Sequence, residues 1–499
     1  MKQISYIGVD IGTTTTKAVG FDEQGQVLVT AYQGYPLFCP DPLTAEQDPK
    51  LIFEAVLASI QQVATCLTAQ NRTVRLVAFS SAMHGVILVD KTGKPLTHCL
   101  TWADGRSGEV AQALKNTPEG IAFYHQTGTP IHAMSPLVKL RWLQQNEPQL
   151  MAKCHLVMDI KSYVFYRLTG KYLTDYSLAS GTGMLAMTTL TWDEGALAYA
   201  GITSEQLPRL VDTTYIEREI SSYHLQAMGL PLETPFIIGA SDGALSNLGI
   251  GAIGANQMGL TIGTSAAIRK VVSAPMTSPN MATFCYYLTK DHWVTGGASN
   301  NGGVALTWLR QAFFEEQTYE DLIGLAETAG IGAGGLLFLP YLSGERAPLW
   351  NSNSRGTYHG WSLAHGKHHM VRATMEGVVM NLKLISEAIG TGQLIATGGF
   401  VRSPLWRQMV SDVFNQPVTI PENMESSCWG AVLLGQLALG DRTTLVQDMK
   451  GTMAHHHHHP QPEAVATYQT LMPIYQGLVT QLKGQYDPLA DFQRRIIWN

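Results

Sequence analysis

The chain has 499 residues, 45% of them hydrophobic and 14% charged, with a formal net charge of −6. That length exceeds one ordinary core and calls for two or more domains, and the composition excludes wholesale disorder. A mildly acidic balance without a long basic run argues against a nucleic-acid partner.

The first stretch, "SYIGVDIG", is rich in β-branched and apolar residues up to Gly12; "KAVGFD" resumes as a second strand and "VLVTAYQ" follows as a third, with a turn at "DEQGQ". The pattern predicts a β-meander whose first corner is Gly12-Thr13-Thr14-Thr15. Threonines in a tight glycine-containing turn offer hydroxyls and converging backbone N–H groups, a nest for phosphate oxygens. Threonine is also an ordinary strand former, but that does not account for Asp10, because an unpaired carboxylate on a buried strand costs several kcal/mol or more. Asp10 is therefore expected to face a polar cleft, held by a metal or a phosphate-bound water. Its charge also breaks the apolar run after Lys2, unlike a signal peptide. No apolar stretch approaches the roughly 20 residues that span a bilayer, so neither a membrane partner nor a location outside the cytoplasm is expected.

At the midpoint, "PFIIGASDGALSNLG" (Pro235 to Gly249) predicts a buried strand, then Ser241-Asp242-Gly243, then a helix. Asp242 thus stands at the carboxyl end of a strand, where open α/β sheets bind ligands. It reads either as a helix N-cap or, with a second loop close behind it, as a general base for a substrate hydroxyl. That loop is in "MGLTIGTSAAIRKVV": Ile262-Gly263-Thr264-Ser265 echoes Ile11-Gly12-Thr13-Thr14, each after an apolar strand and before a basic residue and valines. The echo predicts two similar domains, each offering a phosphate loop to a shared cleft. Neither loop is a Walker A. "GIGAIG" (Gly249 to Gly254) and "GIGAGG" (Gly330 to Gly335) fit G-x-G-x-x-G, but both follow helical patterns and lead into strands, so they read as helix stops. "HGKHH" (His365 to His369) is expected on the exposed face of a helix start. The run His455 to His459 reads as a loop with incidental metal affinity. The six cysteines are scattered without a C-x-x-C pair, which predicts free, mostly buried thiols in a reducing compartment.

Beyond these local readings, the chain resembles the FGGY carbohydrate kinases, within the actin/hexokinase/heat-shock ATPase superfamily. The motifs that carry the resemblance are "GVDIGTTTTKAV", "SSAMHG", "TWADGRS", "GASDGALSNLG", "TIGTSAAIR", "PYLSGERAPLW" and "ATGGFVRSPLWRQMVSDV", in that order along almost the whole length. "GTPIHAMSPLVKLRWL", "ASNNGGVALTWLR" and "ESSCWGA" look like its gluconokinase branch; Ala133 and Gly105 depart from that pattern, where proline and asparagine or threonine are commoner. The resemblance implies an α/β fold of two ribonuclease H-like domains around a deep cleft, 1–248 on the sugar side and 249–499 on the ATP side. It implies ATP and Mg²⁺ as cofactors, with Asp10 organising the metal through water. Thr13 and Thr14 would face the transferred phosphoryl group, with Gly12, Thr15 and Lys17 beside them. Gly263, Thr264 and Ser265 would contact the phosphates from the other domain, and Gly302, Gly303, Gly398, Gly399 and Ser403 would complete the nucleotide side. Met83, His84, Trp102, Asp104, Arg106, Asp242 and Gly243 would line the sugar pocket, while Glu345 and Arg346 read equally as a structural ion pair or a site contact. A homodimer is compatible with the resemblance.

The reaction so implied is phosphoryl transfer from Mg·ATP to a terminal hydroxyl of an open-chain sugar, with Asp242 as base and D-gluconate as acceptor. A sugar acid needs a cation in its pocket; Arg106, Lys139 and Lys161 are the candidates, each also readable as a solvated helix charge, Lys139 most readily. Two rival readings are a xylulose or other polyol kinase of the same family, and an ATPase-fold switch protein that phosphorylates no small molecule.

Overall fold

The computed structural model describes residues 3–421, 425–445 and 455–497. Its first three strands, β1 (Gln3–Ile11), β2 (Thr15–Phe21) and β3 (Val27–Gly34), form the antiparallel meander set by the glycine and Asp-Glu-Gln-Gly breaks. Helix α1 (Pro49–Ala69) follows, with Asp48 as N-cap and proline in its first turn. Among the described residues α1 is the one helix long and apolar enough to cross a membrane, contrary to the expectation that no such stretch exists. Its apolar stripe, including Ile52, Val56, Ile60 and Val63, is buried on the sheet, while Gln61, Gln62 and Thr65 face outward. It is a core helix.

Strand β4 (Arg72–Ser81) pairs parallel to β1, and the short β5 (Ile216–Glu217) and β6 (Phe236–Ser241) complete a six-stranded mixed sheet in the order β5-β6-β4-β1-β2-β3. Helix α2 (Asp242–Gly249) leaves the end of β6.

The second half repeats this plan. Strands β7 (Gln257–Ile262) and β8 (Ala266–Val272) form a hairpin, β9 (Phe284–Thr289) and β10 (His292–Ser299) extend it, and helix α3 (Val304–Phe313) follows. Strand β11 (Gln393–Thr397) is parallel to β7; then come helix α4 (Pro404–Phe414), β12 (Val418–Pro421), helix α5 (Ser426–Ala438) and β13 (His455–His458). The sheet order is β9-β10-β8-β7-β11-β12-β13. In both sheets an antiparallel hairpin with a three-residue connection, 12–14 or 263–265, is flanked by a parallel strand. These are the two similar domains expected from the repeated loop, in the ribonuclease H-like α/β form that the resemblance implies.

Two local expectations fail. The histidine run is an edge strand rather than a loop, because its extended backbone pairs antiparallel with the otherwise open side of β12. His365, His368 and His369 are half-buried rather than exposed: His368 and His369 pack ring to ring at 4.0 Å, and His365 Nε2 bonds the Gly334 carbonyl at 3.1 Å. All six cysteines are free; Cys39 and Cys66 are exposed and the other four buried.

Helix α5, from the second half, packs on β1, β4 and β6 of the first sheet and crosses α2. The crossing is very close. A Cβ on Gly249 would stand 1.8 Å from the Ser426 carbonyl oxygen, and one on Gly430 would stand 2.1 Å from that of Leu245. Gly249→Ala should therefore destabilise the protein by about 1–3 kcal/mol through overpacking, reversing the usual gain of alanine over glycine in a helix. Gly477→Ala, in the helix Pro462–Leu482 with open space around the new methyl, is the control and should be neutral or stabilising. Equal urea midpoints for the two variants would show that the crossing tolerates a methyl group.

Candidate functional site

The two hairpin corners meet at one cavity of about 280 Å³, lined by Thr13 of the first and Ser265 of the second. A wider open depression of about 710 Å³, near His98 and Arg167, contains no residue of either corner. The floor of the smaller cavity is the β8–β10 face. Ala267 pairs there with Ala298 and Arg269 with Gly296, small residues that leave room above the sheet. Phe284 and Tyr286, stacked at 4.4 Å, make one wall; Met83, His84 and Met134 face in from the first half. Trp102 and Arg346 close the rim, the guanidinium 4.8 Å above the indole.

Asp242 opens helix α2 at this cavity. The N-cap is Ser241, whose Oγ accepts from the Ala244 N–H at 3.4 Å, so Asp242 is not used as the cap. Among the described residues its carboxylate accepts only the Gly243 N–H, at 2.6 Å. Burial, followed by the nearby charge of Asp10, pushes its pKa up to about 6 against the pull of Arg269. Asp10, at the end of β1, accepts from Ser80 Oγ at 2.7 Å.

Both corners are braced from behind. Tyr35 OH donates to the Gly12 carbonyl at 2.7 Å, Gln47 Nε2 donates to that of Thr13, and Trp102 Nε1 donates to Thr13 Oγ1 at 2.9 Å. Thr14 and Thr15 are left exposed at the tip. At the second corner the Gly302 and Gly303 N–H groups donate to the carbonyls of Thr264 and Gly263 at 3.1 and 2.6 Å, while Thr264 itself is exposed. A Cβ on Gly302 would stand 2.5 Å from the Ser265 carbonyl oxygen. Gly398, at φ 103°, lies against β7, where a Cβ would stand 2.4 Å from the Ile262 carbonyl oxygen; beside Gly399 the space is open.

Several side chains expected at the site are engaged elsewhere. Lys17 is ion-paired with Glu425, and Ser403 caps α4, accepting from the Trp406 N–H at 3.3 Å. Asp104 and Arg106 lie outside the cavity: the buried Asp104 accepts the Ala45 N–H and pairs with Arg106, which also binds Glu46. Lys161 is buried in an ion pair with Asp175 at 2.8 Å. Lys139 is no solvated helix charge but fully buried, its Nζ donating to the carbonyls of His84 at 2.8 Å and Thr101 at 2.5 Å. It thereby ties together the two segments that carry His84 and Trp102, and fixes the left-handed backbone of His84 at φ 66°.

Glu345 and Arg346 divide the roles left open for them. Glu345 is buried among Ser299, Asn300, Asn301 and Asn381; burial outweighs those hydrogen bonds and pushes its pKa up to about 7. Arg346 faces the cavity, and burial, opposed by Glu345, lowers its pKa to about 10. The sequence reading missed Arg269, Phe284, Tyr286 and Met134. Strand alternation from Ser265 puts Ala267 and Arg269 on one face, the one signal that would have found Arg269.

Residues 5–249 match the model of the FGGY family of carbohydrate kinases, N-terminal domain, and residues 258–439 match that of its C-terminal domain. The chain is 45% identical to a gluconokinase of Bacillus subtilis (strain 168), over 98% of each. Among solved structures, a gluconate kinase from Lactobacillus acidophilus superposes with a TM-score of 0.94 at 36% identity, covering 98% of this chain and 100% of that one. A ligand-bound xylulose kinase from the same organism gives 0.93 at 36%, covering 97% and 100%.

His84 offers a direct check on the cavity. Its Nδ1 lies 2.7 Å from the Gly181 carbonyl, which can only accept, so Nδ1 carries the proton and Nε2 is an acceptor. Burial, then Lys139, depresses its pKa to about 3. In ¹⁵N-histidine-labelled protein, the resonance lost in His84→Gln should show the Nδ1–H tautomer unchanged from about pH 5 to about pH 9. Titration near the ordinary histidine value of about 6.5 would mean a hydrated, charged ring.

Proposed function

As a member of the FGGY family of carbohydrate kinases, to which the chain belongs over both halves, the protein is an ATP-dependent sugar kinase of the gluconokinase-like type; we propose that it converts D-gluconate and ATP to 6-phosphogluconate and ADP. One observation carries the mechanism: Asp242, with a pKa near 6, shares a single cavity with Thr13 and Ser265 of the two hairpin corners. The terminal hydroxyl of the sugar gives its proton to the Asp242 carboxylate as its oxygen bonds the γ-phosphorus and the bond to the ADP oxygen breaks. The corner at Gly12 to Thr15 and that at Gly263 to Ser265 face the phosphates with backbone N–H groups and threonine hydroxyls. Gly302, Gly303, Gly398 and Gly399 let the backbone approach the nucleotide. Met83, His84, Trp102 and Gly243 are proposed to hold the sugar together with the β8–β10 face, so the acceptor touches both halves. Cytoplasmic ATP is the natural donor.

The donor set fits Mg²⁺. Asp10 is a half-buried carboxylate with one protein hydrogen bond, close enough to Asp242 for its charge to be felt there. Among the described residues no cluster of three acidic, histidine or cysteine side chains could hold an ion alone. One or two carboxylates with water and substrate phosphates is the usual arrangement for Mg²⁺, and Asp10 is the residue proposed to hold it. The ion's contribution would be to neutralise phosphate charge.

A second reading, a pentulose acceptor, is supported by the likeness to the xylulose kinase. Coupled ADP release with gluconate, xylulose, xylitol and glycerol separates the two: gluconate should give the highest kcat/KM, and a lead for xylulose would reverse the acceptor while leaving the kinase reading intact. Asp242→Asn should lower kcat by about 10²–10⁴-fold with unchanged melting. Because the base acts only when ionised, wild-type kcat/KM should fall as pH drops through about 6, well above the ordinary carboxylate range. Activity that stays level to about pH 4.5, or an asparagine variant within a few-fold of wild type, would remove Asp242 from the chemistry.

A further inference from the structure

The cavity holds one acid and two guanidinium groups, and one of those has nothing to bind. Among the described residues Arg346 donates to the Ser299 carbonyl at 3.2 Å and stacks on Trp102, with its buried Nε left unpartnered, whereas Arg269 makes no hydrogen bond or ion pair at all. Arg269 is held by packing and by the nearby charge of Asp242: its Nε and Nη2 would stand 3.1 and 3.2 Å from a Cβ on Gly243, so that glycine is what gives the guanidinium its place. A second group nearby is also unpartnered. The Tyr286 hydroxyl is buried without a hydrogen bond, its side chain lines the same cavity, and burial keeps the phenol protonated and able to donate.

We infer that Arg269, assisted by the Tyr286 hydroxyl, binds the carboxylate of the acceptor and is the residue that makes the enzyme select a sugar acid. The inference rests on the kinase reading above and names the feature of the acceptor that this cavity recognises. The charge balance supports it. Among the side chains that line the cavity, Asp242 ionised and His84 neutral leave the two arginines with one excess positive charge, which Asp10 and Glu345 offset only from behind the lining. A monoanionic acceptor cancels it, whereas a neutral ketose would leave a desolvated guanidinium unpaired. The three cations expected from the sequence to do this work are already paired within the protein: Arg106 with Asp104 and Glu46, Lys161 with Asp175, and Lys139 with two carbonyls. Arg269 packs against Gly243, next to Asp242, and its charge is felt at that carboxylate, so the anchor is read from the preference between acceptors rather than from kcat alone.

The test is steady-state kinetics of the wild type, Arg269→Gln, Arg269→Lys and Tyr286→Phe with D-gluconate, its neutral amide D-gluconamide, and the hexitol sorbitol. A charge-assisted contact is worth about 1.5–3 kcal/mol, so the wild type should prefer gluconate to the amide by roughly 10- to 100-fold. Arg269→Gln should lose that gluconate-to-amide factor; because Arg269 also restrains the pKa of Asp242, any change in kcat should be common to gluconate, the amide and sorbitol, with the KM for ATP unchanged. Tyr286→Phe should lose less, about 2- to 10-fold, and Arg269→Lys should recover part of the preference. Should the glutamine variant fail to fold, Arg269→Lys and the gluconate-to-amide ratio of the wild type carry the test. A fall in kcat on every acceptor with the gluconate-to-amide preference kept would confine Arg269 to the base or the phosphoryl group and overturn the anchor. So would a folded Arg269→Gln or Arg269→Lys enzyme that keeps the full wild-type preference. A wild type that prefers xylulose to gluconate would instead overturn the gluconate reading itself.

Discussion

The geometry of the cleft depends on the contact between α2 and α5, where Gly249 and Gly430 bring two helix backbones to a separation no side chain would allow. The two helices lie between the sheets and bury a cluster drawn from both halves, including Tyr6 and Phe21 of the first, Val271 and Leu288 of the second, and Leu245, Leu248, Val432 and Leu433 of the helices themselves. Asp242 is the first residue of α2, so the same crossing that joins the halves sets the base between the two hairpin corners. A contact with so little slack resists sliding.

Electrostatics inside the cavity is a balance of a few groups that hold one another in their working states. Burial and Asp10 raise the pKa of Asp242, and Arg269 restrains the rise, leaving a carboxylate that is ionised at neutral pH yet more proton-hungry than an ordinary one, as its proposed role of base requires. Arg346 is steadied from its neighbour: Glu345 accepts four hydrogen bonds from side chains and backbone around Ser299 to Asn301 and from Asn381, and so fixes the turn that presents the guanidinium over Trp102. His84 contributes no charge. It supplies an acceptor whose orientation is set by the Gly181 carbonyl on one side of the ring and by Lys139 holding its backbone.

What could be read in the sequence was what local chemistry decides. Glycine after an apolar strand gave both hairpin corners, and a strand leading directly into Ser-Asp-Gly located the start of α2. The partners of charged residues could not be read this way. Lys139 has the helical spacing of a surface charge, yet carbonyls 38 and 55 residues away in the chain take up its three-donor ammonium in the core. Asp104 and Arg106 sit beside Trp102 in sequence but turn away from it, because Ala45 and Glu46, from a distant segment, bind them first. The histidine run likewise lacks any strand signal of its own; the open edge of β12 supplies the pairing. Arg269 was readable in principle, since two-residue alternation carries it to the face that Ser265 begins.

The near-equal likeness to a gluconate kinase and a xylulose kinase, both at 36% identity with TM-scores of 0.94 and 0.93, shows that the frame does not choose the acceptor. On the proposed mechanism, crossing helices, hairpin corners and Asp242 need nothing from the acceptor but a terminal hydroxyl. Choice must then come from side chains that the frame leaves free to vary without disturbing the phosphate end. The β8–β10 face meets that condition: alanine and glycine make it flat, so one long residue determines what lies on it. Arg269 is half-buried at that position, so a neutral acceptor lying over it would strip its remaining water without replacing the charge. An acidic sugar relieves that cost, and the proposed selectivity for the acid then follows from an electrostatic need rather than from shape.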